Sequence, residues 1–170
     1  MHLRDREIQK LREYAKTLGI QKVEIRSHSD CYHAFIVDNP KEIHINKRLH
    51  KCKLEIIMSF LHELAHAEYE FLHGQTVPDI CYEYFWKKDK NLIKVVPKKY
   101  RYAIMKFEID SLKLMPLLAQ ALLLKIPLWK VKLNMEFDQW NYKEYYKRGE
   151  FPPRREERIK RKQLMEKYKP

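Results

Sequence analysis

Two histidines four residues apart, with a glutamate directly after the first, form the sequence His62-Glu63-Leu64-Ala65-His66. Residues four apart in a helix lie about one turn apart on nearly the same face, so both imidazoles can reach one tetrahedral metal ion. Zinc lowers the pKa of the water that it binds to roughly 7, and a neighbouring carboxylate can then take the proton. The spacing therefore predicts Zn²⁺ as cofactor, with His62 and His66 as metal ligands and Glu63 as general base.

The third metal ligand has to come from elsewhere in the chain, and four side chains are candidates: Glu108, Asp110, His73 and Glu70. Glu108 lies in a helical stripe with Ile104 and Leu112. An unpaired carboxylate there would carry a desolvation penalty of several kcal/mol, which a metal ion would remove. We therefore expect Glu108 as the third ligand, with Asp110, on a face shared with lysines, and His73 as alternatives.

Other side chains near the motif have competing interpretations. Glu70, one turn beyond His66, is better placed as an acceptor that orients that imidazole than as a ligand. Arg101, two turns before Glu108, offers the alternative of an ordinary ion pair for that carboxylate. Four tyrosines could stabilise an oxyanion, with packing in an aromatic core as the alternative: Tyr82, Tyr84, Tyr100 and Tyr102.

The elements that would position these residues follow from hydrophobic periodicity. Apolar residues at helical spacing predict amphipathic helices over residues 3–18 and 51–73, each followed by a glycine suited to a C-terminal cap. Three short strands are expected over 22–26, 32–37 and 42–45. The turn Asp38-Asn39-Pro40 joins the last two strands, which predicts a hairpin.

The second half of the chain is expected to be less regular. Residues 75–97, rich in proline and aromatic side chains, suit a packed loop. A second long helix is predicted over 98–126, kinked or split at Pro116. Strict alternation of apolar and polar residues over 129–137 favours a strand. The charged segment 154–168 is typical of a solvated helix or frayed tail.

Charge and composition limit which kinds of partner the protein is expected to bind and in which compartment it is expected to occur. The 170 residues contain 35 Lys plus Arg and 23 Asp plus Glu, for a net charge of +12. Half of that excess lies in residues 141–170, so an anionic partner such as nucleic acid is favoured electrostatically. Three cysteines without a CxxC pair, no signal-peptide core and no apolar run long enough to span a bilayer predict a cytoplasmic protein without a membrane partner.

The motif and its context resemble the zincin metallopeptidases. Residues 60–67 resemble the active-site helix of small intracellular zincins such as the ImmA/IrrE and SprT-like groups, and Leu114-Met115-Pro116 is similar to a tripeptide of the ImmA/IrrE group. In gluzincins the third ligand is similarly a glutamate on a later helix, which favours Glu108. SprT-like sequences place a third histidine before a glycine, as His73 stands before Gly74.

This resemblance implies an α+β fold. We expect a zincin-like metallopeptidase domain over residues 1–140, followed by a basic C-terminal extension over 141–170. We expect a short, mainly antiparallel sheet packed on the motif helix and on a second long helix. The implied activity is zinc-dependent peptide-bond hydrolysis of a restricted protein substrate. The alternative is a basic nucleic-acid-binding protein in which the motif helix is structural or inactive.

Overall fold

The computed structural model describes residues 3–27, 33–37, 41–74 and 97–170, which contain six α-helices and three β-strands. In chain order these are α1 (Leu3–Thr17), β1 (Lys22–Arg26), β2 (Ala34–Val37), β3 (Glu42–Asn46), α2 (Lys53–His73), α3 (Lys98–Leu112), α4 (Leu114–Ala121), α5 (Leu128–Arg148) and α6 (Arg154–Tyr168). The mixed α+β class and the helices predicted over 3–18 and 51–73 are confirmed. The loop predicted over 75–97 lies outside the described residues, apart from Pro97.

The three strands form one mixed sheet in the order β1-β3-β2, not the mainly antiparallel sheet that we expected. The β2–β3 hairpin is antiparallel as predicted, but β1 pairs with β3 in parallel over five residue pairs. Alternation of apolar and polar residues fixes which face of β1 is buried and not the direction in which the strand pairs. In the observed register, Val23 lies opposite Ile43 and Ile25 opposite Ile45, all on the core face.

Helix α2 is the centre of the fold and packs against α1, α3, α4 and the sheet. Ten of the twelve residues from Ile56 to Ala67 are buried, as expected of a helix that has neighbours on several sides. Phe60, Leu61 and Leu64 are fully buried there. The motif residues therefore project from a rigid element.

The helix predicted over 98–126 is split into α3 and α4 at Lys113. Pro116 lies in the first turn of α4, where its missing N–H costs nothing, while its ring would clash with the carbonyl of Leu112 in a continuous helix. The break therefore falls one turn before Pro116. Helix α4 then ends at Ala121, earlier than predicted, and the turn that follows contains Leu123 with a φ of +49°.

The strand predicted over 129–137 is wrong, because these residues form the first half of α5. One stripe, Val131 and Met135, faces the main core, and a second stripe, Leu133 and Phe137, packs against Leu164 of α6. Each stripe has helical i, i+4 spacing, and the two are offset by two residues. Two buried faces on one helix thus reproduce the alternation of a strand.

The charged C-terminal segment forms helix α6, which packs along α5. Glu136 of α5 binds Lys167 at 2.8 Å and also contacts Tyr168, which adds polar contacts to the apolar ones. Helix α5 runs continuously through residues 140 and 141, where the sequence suggested a domain boundary. Among the described residues, no helix is both long enough and apolar enough to cross a membrane.

Candidate metal centre

The side chains of His62, His66 and Glu108 converge at the contact between α2 and α3. One possible ligand atom from each of the three lies within 4.8 Å of the other two. Nε2 of His66 is 3.2 Å from Oε2 of Glu108. A tetrahedral zinc ion with bonds of about 2.0–2.1 Å places its ligand atoms roughly 3.3 Å apart, so this pair already has the required separation.

The imidazole of His66 is oriented by Ser111 of α3. Its Nδ1 lies 2.8 Å from Oγ of Ser111, and that hydroxyl is also 2.8 Å from the carbonyl oxygen of Phe107. Because the hydroxyl has one proton and donates it to the carbonyl, it accepts from Nδ1–H of His66. The lone pair of His66 is then on Nε2, the atom that faces Glu108.

The imidazole of His62 is oriented by a carboxylate from α5. Nδ1 of His62 lies 3.4 Å from Oδ2 of Asp138. A carboxylate in this position favours a proton on Nδ1 and leaves the lone pair on Nε2, as in many carboxylate–histidine–zinc arrangements. In its neutral form, each histidine of the motif therefore directs the lone pair of Nε2 away from its orienting partner.

Glu108 lies close to Tyr142 of α5, and one of its oxygens has no donor. Burial raises the pKa of Glu108, but His66 and His62 lower it overall, with a smaller contribution from the Tyr142 hydroxyl. Its buried Oε2 has no hydrogen-bond partner among the described residues, although it lies close to His66. A buried carboxylate oxygen without a donor is unfavourable unless a cation binds it, so these residues fit a metal ion.

The cluster has an excess of negative charge. Burial lowers the pKa of His62, but the carboxylates of Asp138, Glu63 and Glu108 together raise it to about 9. No lysine or arginine is among the main groups that shift the pKa values of His62, Glu63 and Glu108. The three carboxylates therefore favour positive charge at this place, which a proton or a metal ion can supply.

Glu63 lies on the buried side of the motif helix, next to both histidines. Burial raises the pKa of its carboxyl, and Glu108 raises it further, while His62 and His66 act in the opposite direction. A raised pKa makes a carboxylate a stronger base near neutral pH. This environment is the one that the expected general base requires.

The alternatives to Glu108 are occupied elsewhere. Asp110 binds Lys106 and Lys113 at 2.6 and 2.7 Å. His73 is exposed and its ring contacts Tyr69. Glu70, the acceptor that we expected for His66, forms an ion pair with Lys41 at 2.9 Å.

Sequence reasoning missed Ser111, Asp138 and Tyr142, the orienting partners of the three clustered side chains. Asp138 and Tyr142 continue the stripe of Val131 and Met135 on α5, so a helical interpretation of that segment would have found them. Of the tyrosines considered for an oxyanion, Tyr100 packs in a small aromatic cluster and Tyr102 is exposed. Tyr82 and Tyr84 lie outside the described residues. Arg101, considered as a partner of Glu108, has a buried Nε without a hydrogen bond.

Comparison with known proteins adds no family assignment. No protein-family model matches the chain, and no curated protein or solved structure matches it either.

Proposed function

We propose that the protein is a zinc-dependent peptidase in which His62, His66 and Glu108 hold the metal ion. The observation that carries this proposal is the set of orienting contacts behind the three side chains. Asp138 faces His62, Ser111 faces His66, and the Tyr142 hydroxyl helps to lower the pKa of Glu108. Ordinary surface histidines and glutamates have no need of such support, whereas metal ligands usually have it.

The chemistry proposed for the site divides between the metal and Glu63. Zinc, when bound, supplies a positive charge that acidifies water and polarises a substrate carbonyl. The carboxylate of Glu63 takes the proton from the attacking water and later gives it to the leaving amine. Its burial between the histidines holds it next to the metal ligands, and its raised pKa suits both steps.

Metal binding is tested by elemental mass spectrometry on tag-free protein reconstituted with zinc. We expect about one zinc per chain in the wild type. His62→Ala, His66→Ala and Glu108→Ala should lose or strongly reduce it, and Asp110→Ala, which removes a carboxylate two residues from Glu108, should retain it. Absence of zinc from reconstituted wild-type protein would remove the basis of the proposal.

Hydrolysis is tested with a mixture of fluorescence-quenched peptides of randomised sequence. Glu63→Gln should lower the rate by about 10²–10⁴-fold, as expected for loss of a general base, while its zinc content stays that of the wild type. Glu70→Gln, one helix turn beyond His66, is the matched control and should keep the wild-type rate. Equal rates for wild type and Glu63→Gln would exclude the proposed base.

Nucleic-acid binding is a second candidate function, favoured by the outer face of α6. Arg155, Arg158 and Lys162 are exposed there at i, i+3 and i+7, and they form one stripe along the helix. Contacts to phosphates from such a stripe would weaken steeply with salt. Binding of labelled duplex DNA that is lost in Arg155→Gln/Arg158→Gln and unchanged in Glu63→Gln would support this function independently of hydrolysis.

A further inference from the structure

The turn between α4 and α5 presents leucine side chains to solvent on an unfavourable backbone. Leu123 is 78% exposed, and its φ of +49° lies in the left-handed region that leucine rarely adopts. Leu117 of α4 is 59% exposed. Strained backbone conformations are retained where the surrounding structure enforces them, and they are often found at functional surfaces.

Two side chains of α1 hold this turn in place. Nζ of Lys10 donates to the carbonyl oxygen of Leu123 at 2.7 Å, and Oε2 of Glu7 accepts from the backbone N–H of Lys125 at 2.9 Å. Glu7 is fully buried. The exposed position of Leu123 is therefore fixed by contacts from another helix.

A shallow cavity of about 350 Å³ adjoins the turn. Its lining is apolar apart from one amide side chain: Ala119, Gln120, Leu123, Leu124, Ile126 and Leu128. Apolar side chains of this kind suit a partner recognised by burial of hydrocarbon.

The chain segment around the turn carries charge of one sign, and the buried Glu7 of α1 beside it is paired with Lys10 at 3.5 Å. From Ser111 to Met135 the chain contains four lysines and no aspartate or glutamate. Lys125 and Lys130 fall within or just beyond the cavity-lining segment, and Lys10 lies against Leu123. The net charge of +12 opposes association with a second copy of this chain, so an anionic, apolar partner is complementary.

We propose that the surface around this turn, called here the Leu123 patch, binds anionic phospholipid membranes peripherally. The patch consists of Leu123, of Leu117, which lies one turn before the cavity-lining Gln120 on the exposed face of α4, and of Lys125 and Lys130, which lie within or just beyond the cavity-lining segment. Exposed leucines would enter the boundary between headgroups and acyl chains, and the lysines would contact the phosphates. The proposal is independent of the peptidase function, since no residue of the patch belongs to the metal centre. It departs from the expectation of no membrane partner, which rested on hydropathy of continuous segments and not on folded surfaces.

Co-sedimentation of the full chain with vesicles tests the Leu123 patch. We expect binding to phosphatidylcholine vesicles that contain about one quarter phosphatidylglycerol, weakening with salt, and little binding to pure phosphatidylcholine. Leu117→Ser/Leu123→Ser should reduce the partition coefficient about tenfold or more through lost apolar burial. Lys125→Gln/Lys130→Gln should reduce both the binding and its dependence on salt.

Two further variants separate membrane contact from folding and from general basicity. Leu123→Gly removes the side chain and relieves the strained φ, so it should bind less while keeping or raising the Tm. Ile159→Ser removes a side chain that is 51% exposed on basic helix α6 and should bind as the wild type does. No binding to anionic vesicles, or binding lost in Ile159→Ser and kept in Leu117→Ser/Leu123→Ser, would overturn the proposal. So would a wild-type dimer that these leucine substitutions dissociate, which would identify a second copy as the occupant.

Discussion

Two clusters of histidine and glutamate in this protein are similar in composition and opposite in organisation. On the outer face of the sheet, His44 lies 3.0 Å from Glu24 through Nδ1 and 3.0 Å from Glu42 through Nε2. At the candidate metal centre, His62, His66 and Glu108 direct their possible ligand atoms toward one another. The side chains of the two clusters are similarly accessible to solvent, so burial does not distinguish them.

The two clusters differ in the positive charges next to their carboxylates and in the directions in which their side chains point. Lys22 and Arg26 lie within 3.7 and 3.0 Å of Glu24, and the two nitrogens of His44 point to carboxylates on opposite sides of its ring. In the sheet cluster the carboxylates are therefore paired with positive charges, and no single position lies within reach of all the possible ligand atoms. The candidate metal centre combines convergent donors with uncompensated carboxylates. Residue type alone therefore does not identify a candidate metal site, whereas convergence together with missing positive charge does.

The largest effect that tests this contrast is thermal stabilisation by zinc. At a free zinc concentration near 100 times Kd, binding adds about 2.7 kcal/mol. That should raise the Tm of wild-type protein by about 5–10 °C, measured by differential scanning fluorimetry against a chelator control. Glu108→Ala and the more conservative Glu108→Gln should lose most of the shift.

The sheet cluster provides the control for that measurement. His44→Ala removes a histidine that lies between two glutamates and should keep the full shift with zinc. If His44→Ala abolished the shift and Glu108→Gln preserved it, zinc would bind at the sheet and the contrast between the clusters would be reversed.

A smaller effect is expected from Asp138, which orients His62 without entering the set of ligands. Asp138→Asn keeps the shape of the side chain and removes its charge, so zinc affinity should fall by about 10–100-fold. Competition with a chromophoric chelator measures the affinity. Glu144→Gln, on the same helix and paired with Arg148, should leave it unchanged.

A still smaller effect is expected from Ser111, a neutral partner of His66. Ser111→Ala removes one hydrogen bond, worth about 0.5–1.5 kcal/mol, so zinc affinity should fall by roughly tenfold or less. The same chelator competition would detect it. A fall larger than that of Asp138→Asn would show that orientation of His66 matters more to the site than the charge behind His62.

The smallest effect concerns pH and the sheet cluster. Although burial raises the pKa of Glu24, the charges of Arg26, Lys22 and His44 lower it overall. Because the folded-state pKa is below the unfolded one, this stabilisation is present above the ordinary glutamate pKa and is lost as pH falls through the lowered value. The Tm difference between wild type and Glu24→Gln should therefore shrink on acidification. A difference that grows at low pH would contradict this sign.

The helices were predictable from the sequence where the spacing of apolar residues had a single, helical period. The spacing of apolar residues gave α1 and α2, and the same reasoning placed Glu108 on an apolar stripe, where it meets the two histidines. The parallel pairing of β1 was not predictable, because alternation carries no information on strand direction. Asp138 and Tyr142 were missed because α5 imitates a strand, and Ser111 because a lone serine in a helix has no distinctive spacing.

The double contact of α5 also determines its mutational tolerance. From Trp129 to Phe137 every odd-numbered position packs against either the main core or α6, while Lys130, Lys132, Asn134 and Glu136 are the polar positions between them. Neutral substitutions in this segment should therefore be confined to Lys130, Lys132 and Asn134, because Glu136 also contacts α6 through Lys167. Related sequences would then keep the alternation of apolar and polar residues that is typical of a strand. An alignment alone would therefore still predict a strand here, and a structure would be needed to identify the helix that carries Asp138.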